Sequence, residues 1–195
     1  MQLEQSLRSV CVFCGSRFGN DPQYTLVAQE LGKLIGINGL RLVYGAGDVG
    51  LMGEIAKATQ ENGGKILGVI PNHLLKLEVA KTDLDTFIVT ENMHERKKVM
   101  FSNSDIIVVM PGGVGTLEEF FEVLTWKQLG LHTKDIILLN VEGFWNNLVG
   151  LIEGLVESKF ANKKILSQFI VVNSVKELTT IILEKPSNQK PTLFS

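Results

Sequence analysis

Residues 105–119 read DIIVVMPGGVGTLEE, and the order of residue types in that stretch decides the architecture of the chain. Residues 105–110 form a short apolar run rich in Val and Ile, the pattern of a strand covered on both faces. Pro111, Gly112, Gly113, Val114, Gly115 and Thr116 follow as a turn, and a helical pattern begins at Leu117. A strand that runs through a glycine loop straight into a helix is the building unit of a parallel sheet, because parallel neighbours need a crossover connection. The alternation recurs outward in both directions. Strands are predicted at 9–13, 40–44, 65–70, 86–89, 105–110, 135–140 and 169–172, and helices near 22–37, 51–62, 91–103, 116–129, 145–159 and 174–184. Pro22 behind Asp21 reads as a first-turn proline after its cap, and Asn38-Gly39 as a helix stop. The expected fold is α/β: a Rossmann-like doubly wound parallel sheet with helices on both faces, in a single domain over 9–184. Residues 1–8 are an N-terminal lead, and residues 185–195 a polar, proline-bearing C-terminal tail expected to be flexible.

Composition narrows the class. The chain has 195 residues, 45% of them hydrophobic and 21% charged, which excludes a disordered chain or a coiled coil. The longest purely apolar run, residues 106–110, is far too short to span a bilayer, and no apolar stretch follows the first residues as a targeting peptide would require. A net charge of −2 with no Lys/Arg stripe argues against nucleic acid as a partner. The expectation is a cytoplasmic protein bound to neither membrane nor nucleic acid. Cys11 and Cys14 spell C-x-x-C, yet they fall on a strand, where residues three apart face opposite ways. A redox pair would place its first Cys at a helix N-terminus, so both read as packing thiols. The three histidines, His73, His94 and His132, show no metal-ligand spacing, and no metal site is expected.

In such folds ligands bind in loops at the carboxyl ends of strands. Gly45-Ala46-Gly47-Asp48-Val49-Gly50 matches the dinucleotide-binding G-x-G-x-x-G. The strand after it ends in Gly68-Val69-Ile70-Pro71-Asn72 without the acidic residue that would hold a ribose hydroxyl, so a nicotinamide site is weakly supported. The loop at 111–116 is sharper. Three glycines let backbone N–H groups crowd an anion, and the following helix aims its unpaired N–H groups and dipole at the same point. No Gly-Lys-Ser/Thr follows, so an ATPase has no support. Thr116 and Glu119 have the spacing of a capping box, which would make Glu119 a structural cap; a carboxylate beside an anion site is otherwise repulsive. Met93, Arg96, Lys97 and Met100 share one helical face, which reads either as a phosphate or sugar contact beside an apolar pocket or as a solvated charge face. The apolar face of Leu117, Phe120, Phe121 and Leu124 reads as core, and Trp126 with Leu129–Leu131 adds surface for core or a dimer interface.

Together, residues 93–97 (MHERK) and 111–119 (PGGVGTLEE) resemble the two signature segments of the lonely-guy family, the cytokinin riboside 5′-monophosphate phosphoribohydrolases often labelled lysine decarboxylases. The resemblance continues through Cys14-Gly15-Ser16, Gly50-Leu51-Met52-Gly53 and residues 125–130 (TWKQLG), and covers most of 9–180. It implies a homodimer that needs no cofactor and hydrolyses the N-glycosidic bond of an N6-substituted adenosine 5′-monophosphate. It also implies Arg96 and Glu119 as the catalytic pair. The positions that contact substrate would be Glu78, Lys97, Gly112, Gly113, Val114, Gly115, Thr116, Leu117, Glu118 and Thr125, with Ser16, Gly45 and Met93 as further nucleotide contacts. Ala46 departs from the family, many of whose members carry a second Gly there. A pyridoxal-dependent decarboxylase would need a Schiff-base lysine in a pocket, and no lysine here reads as one. Three rivals stand beside this reading. A general AMP or purine nucleotide nucleosidase would use the same residues. A non-catalytic carrier of a nucleotide or of molybdenum cofactor would not need the Arg96–Glu119 pairing. An NAD(H)-binding oxidoreductase would rest on Gly45–Gly50 alone.

Overall fold

The computed structural model describes residues 8–75 and 80–184. Seven strands form one sheet, β1 (Ser9–Phe13), β2 (Arg41–Tyr44), β3 (Lys65–Pro71), β4 (Thr86–Thr90), β5 (Ile106–Val109), β6 (Asp135–Leu139) and β7 (Ile170–Val172). Their order is β4-β3-β2-β1-β5-β6-β7, and every pairing is parallel. Six helices connect them: α1 (Pro22–Ile37), α2 (Gly50–Glu61), α3 (Met93–Ser102), α4 (Val114–Gln128), α5 (Asn146–Glu157) and α6 (Val175–Glu184). The expected doubly wound sheet is the one observed. Glu78, the N-terminal lead up to residue 7 and the 185–195 tail lie outside the described residues.

Strand residues alternate between two cores. Val10, Val12, Leu42 and Val108 pack under α1, α2 and α6, where Leu31, Ile55 and Leu178 are fully buried. Cys11, Phe13, Val43 and Ile107 point the other way, onto Phe101 of α3, Phe120 of α4 and Ile152 of α5. Cys11 and Cys14 accordingly sit in different cores as free thiols, as the strand period requires. At β1 the strand order reverses, with β2 on one side and β5 on the other. That arrangement opens a crevice between the loops that follow β1 and β5.

At the amino end of the sheet one charge is buried. Lys134 is 5% exposed, donates to the carbonyl of Phe101 and sits 3.9 Å above the Phe101 ring centroid. His132 packs edge-on against the same ring at 4.9 Å and hydrogen-bonds the Val123 carbonyl. Burial lowers the Lys134 ammonium to about 8, against the partial opposing effect of Cys11 and Asp105. Between that value and the ordinary lysine range the unfolded chain keeps a proton that the folded one has released, so wild-type stability rises with pH through this window. Relative to Lys134→Met, which carries no titrating group, the wild type should gain up to about 3 kcal/mol between pH 8 and 10.5. Urea unfolding of both proteins across that range checks it; a constant difference would refute the buried charge.

Candidate active site

Segments that follow five adjacent strands, β3, β2, β1, β5 and β6, converge with α3 on one cavity of about 450 Å³. The β1 and β5 loops are tied together, since the Gly15 N–H donates to the Pro111 carbonyl at 3.0 Å. Gly112 has no room for a side chain, because a Cβ there would stand 2.7 Å from Thr116 Cβ and 2.9 Å from the Gly15 nitrogen. Gly113 and Gly115 differ. Both line the cavity, both are exposed, and a Cβ on either would meet nothing within 4 Å. The fold itself does not require glycine at these two positions; the space they leave open is the space in front of the first N–H groups of α4.

The helix begins two residues earlier than the sequence pattern suggests. Gly113 is the N-cap, no side chain caps the end, and Thr116 is the buried third residue of α4. The capping-box reading of Thr116 and Glu119 is therefore corrected. A box needs its Glu three residues after the cap, whereas Glu119 lies six residues after Gly113. Capping of the expected kind occurs instead on α3. There Asn92 accepts from the Glu95 N–H at 2.9 Å, and Glu95 reaches back to the Glu91 N–H at 2.8 Å. Glu119, half-buried, lines the cavity beside Cys14. Burial first and the Glu119 carboxylate second push the Cys14 thiol well up, which keeps it protonated and excludes a thiolate nucleophile.

Arg96 enters the cavity from α3, 5% exposed and held by backbone carbonyls. Its Nη2 donates to Gly45 O at 2.7 Å and its Nε to Val69 O at 3.1 Å. The first glycine loop thus has a structural task distinct from dinucleotide binding. A Cβ at Gly45 would lie 3.1 Å from Arg96 Cζ and closer still to Nη2. Ala46, the departure from the family pattern, adopts a left-handed φ of 59° while fully buried, and its carbonyl accepts the Lys81 N–H at 2.9 Å. The loop reaches its shape despite the methyl.

Of the sequence candidates, the cavity collects Ser16, Gly45, Met93, Arg96, Gly112, Gly113, Val114, Gly115, Thr116 and Glu119. It does not collect Lys97, Leu117, Glu118 or Thr125. The shared face expected of Met93, Arg96, Lys97 and Met100 is split: three line the cavity, whereas Lys97 turns to α4 and pairs with Glu118 and Glu122. Thr125 is exposed farther along α4. Sequence reading missed Phe18, Tyr24 and Phe144 in the wall, the last two in edge-to-face contact at 5.6 Å. Phe144 follows a turn with two consecutive left-handed residues, Glu142 and Gly143, and Asn140 braces that turn by accepting the Trp145 N–H at 2.7 Å. The only signal for it in the sequence is the Asn-x-x-Gly spacing after β6. Among the described residues no three His, Cys, Asp or Glu side chains group as a metal would need, and no helix is long and apolar enough to cross a membrane.

Comparison with known proteins places this geometry among relatives. The family model described as "Possible lysine decarboxylase" matches residues 52–182. "Probable cytokinin riboside 5′-monophosphate phosphoribohydrolase LOG4" of Oryza sativa subsp. japonica is 43% identical over 178 residues, spanning 91% of this chain and 77% of that protein. "Cytokinin riboside 5′-monophosphate phosphoribohydrolase LOG1" of Arabidopsis thaliana is 41% identical, over 91% of this chain and 84% of its own length. Among solved structures, the Moco carrier protein of Chlamydomonas reinhardtii superposes with a TM-score of 0.69 at 22% identity, over 91% of this chain and 96% of that one. At that identity the likeness is one of fold.

Proposed function

The chain belongs to the lonely-guy family of cytokinin riboside 5′-monophosphate phosphoribohydrolases, and we propose that it hydrolyses the N-glycosidic bond of N6-substituted adenosine 5′-monophosphates. The products are the free base and ribose 5-phosphate. One observation carries the reading: Gly113 and Gly115 leave open space at the start of α4, in the same cavity as Arg96 and Glu119. A 5′-phosphate seated there meets unpaired N–H groups and the positive end of the helix. Breaking the bond between C1′ and the base builds oxocarbenium character on the ribose and negative charge on the departing base. Glu119 stabilises the ribose cation and orients or deprotonates the attacking water. Arg96, fixed by two carbonyls, neutralises and positions the phosphate–sugar end.

A lysine decarboxylase reaction fits poorly. Pyridoxal chemistry needs a lysine within reach of the substrate. Among the described residues no lysine lines the cavity, and Lys134 sits at the opposite end of the sheet. As part of the same proposal, the enzyme works as a cytoplasmic homodimer. The free thiols Cys11 and Cys14 suit a reducing compartment. Leu129, 68% exposed, and Leu131 continue the apolar surface beyond α4 toward a partner.

Incubation with AMP, with N6-isopentenyladenosine monophosphate and with the matching nucleosides, followed by chromatography of the free base, tests the reaction. Base should appear from nucleotides and not from nucleosides, faster from the N6-substituted one; no base from either nucleotide would refute the proposal. Gly115→Ala tests the phosphate seat. The methyl raises helix propensity, so stability should rise by roughly 0.5 kcal/mol. It also occupies the open space, so KM for the nucleotide should rise about tenfold, the size of one lost charged contact. Unchanged KM would move the phosphate elsewhere.

A further inference from the structure

We propose that Lys97 is a positioning residue: its ammonium clamps α3 to α4 through Glu118 and Glu122, and so holds Arg96 and Glu119 at a fixed separation. The inference rests on the reading that Arg96 and Glu119 carry the reaction. Family resemblance alone would make Lys97 a substrate contact, and its placement argues otherwise. Arg96 and Lys97 are consecutive on α3, so their side chains leave the helix about 100° apart. Arg96 turns to the carbonyls of Gly45 and Val69, while Lys97 turns away from the cavity.

Lys97 is 4% exposed. It donates to Glu118 Oε1 and stands 3.1 Å from Glu122 Oε1. Burial alone would drive the ammonium toward its neutral form, but the hydrogen bonds it donates to Glu118 and Glu122, with their charges, outweigh it and raise the pKa. Glu118 and Glu122 are one helical turn apart and flank Glu119 on α4. The other oxygen of Glu122 is buried with no hydrogen-bond partner, so Lys97 is the cation that makes its ionised form tolerable.

Stability does not explain such a cluster. Apolar side chains of the same size in the same place hold two helices together at least as well, because desolvation offsets most of the attraction. What ion pairs add is register: the ammonium meets both carboxylates only when the two helices sit at one offset. Arg96, which enters the cavity from α3, is next to Lys97 in sequence, and Glu119, which enters it from α4, is next to Glu118. A slip of the helices would move Arg96 relative to Glu119, together with the edge-to-face contact of Phe101 and Trp126 that also joins α3 to α4.

Steady-state kinetics on Lys97→Met, Lys97→Arg, Glu122→Gln and the Lys97→Met/Glu122→Gln double variant test the clamp. Lys97→Met should lower kcat at least 30-fold with KM for the nucleotide changed less than threefold. Glu122→Gln should lower kcat in the same direction, and the double variant should be no worse than Lys97→Met, because both break one device. Lys97→Arg should recover most of kcat, since a guanidinium spans two carboxylates. A tenfold rise in KM at unchanged kcat, with Glu122→Gln silent, would overturn the proposal and return Lys97 to the substrate. Should Lys97→Met fail to fold, Glu118→Gln and Glu122→Gln, singly and together, carry the same kinetic test. If the wild type released no base, the functional reading would fall by itself. The clamp would then be judged on thermal midpoints, where additive shifts of Lys97→Met and Glu122→Gln would overturn it.

Discussion

Replacement of Glu119 by Gln is expected to lower turnover roughly 10³-fold, within the range for loss of one acid–base group, while the thermal midpoint moves by no more than about 2 °C. The combination is informative because the sequence offers Glu119 a harmless task. As the last member of a Thr-x-x-Glu box it would reach back to a backbone N–H, and Gln would do the same. The structure removes that task. α4 starts at Val114 with Gly113 as cap, so Glu119 belongs to the second turn, too far along to serve the helix end. Its side chain lines the cavity beside Cys14, in the same wall as Arg96. The amide is isosteric but cannot stabilise an oxocarbenium ion or accept a proton from water. Base release measured beside a melting curve decides it: full activity in Glu119→Gln would end the case for a carboxylate catalyst.

The second large effect is expected from a residue that touches no substrate proton. Gly45→Ala should cut kcat/KM by about 10²-fold, the usual result of displacing a positioned group by an ångström or more, and should destabilise the fold by about 2 kcal/mol. The cause is steric. The new methyl would fall on the guanidinium of Arg96, and pushing that group out into the cavity would break its hydrogen bonds to the carbonyls of Gly45 and Val69. Arg96→Lys should lose a comparable share of activity, because an ammonium cannot span two carbonyls that a planar fork reaches together. Denaturant unfolding and kinetics on Gly45→Ala check both halves. Wild-type activity in that variant would show that the position of Arg96 does not matter to the reaction.

Much of this is legible in the sequence alone. The seven apolar runs and the glycine loops behind them carry their own periodicity, and local sequence sets whether a segment is strand, turn or helix. The Pro111–Thr116 loop announces itself in the same way, since glycines before a helix start need no distant partner to be read. Even the separation of Cys11 from Cys14 into different cores follows from a period of two. Helix ends were less legible. Thr116 looks like a cap and is not one, because Gly113 already closes the helix and the buried hydroxyl lies over Gly112.

What the chain determined by itself is therefore the set of elements, their parallel arrangement and the two segments that announce the site. Tertiary structure decided which side chains meet. Arg96 and Lys97 are neighbours with similar chemistry, and only the packing of α3 between β3 and α4 sends one to the cavity and the other to Glu118 and Glu122. Phe144 reaches the wall because β6 lies beside β5 in the sheet, a placement that no local pattern encodes. The physical reason is the range of the forces: backbone propensity acts over a few residues, whereas a cavity is assembled from loops whose adjacency depends on the order in which distant strands pack.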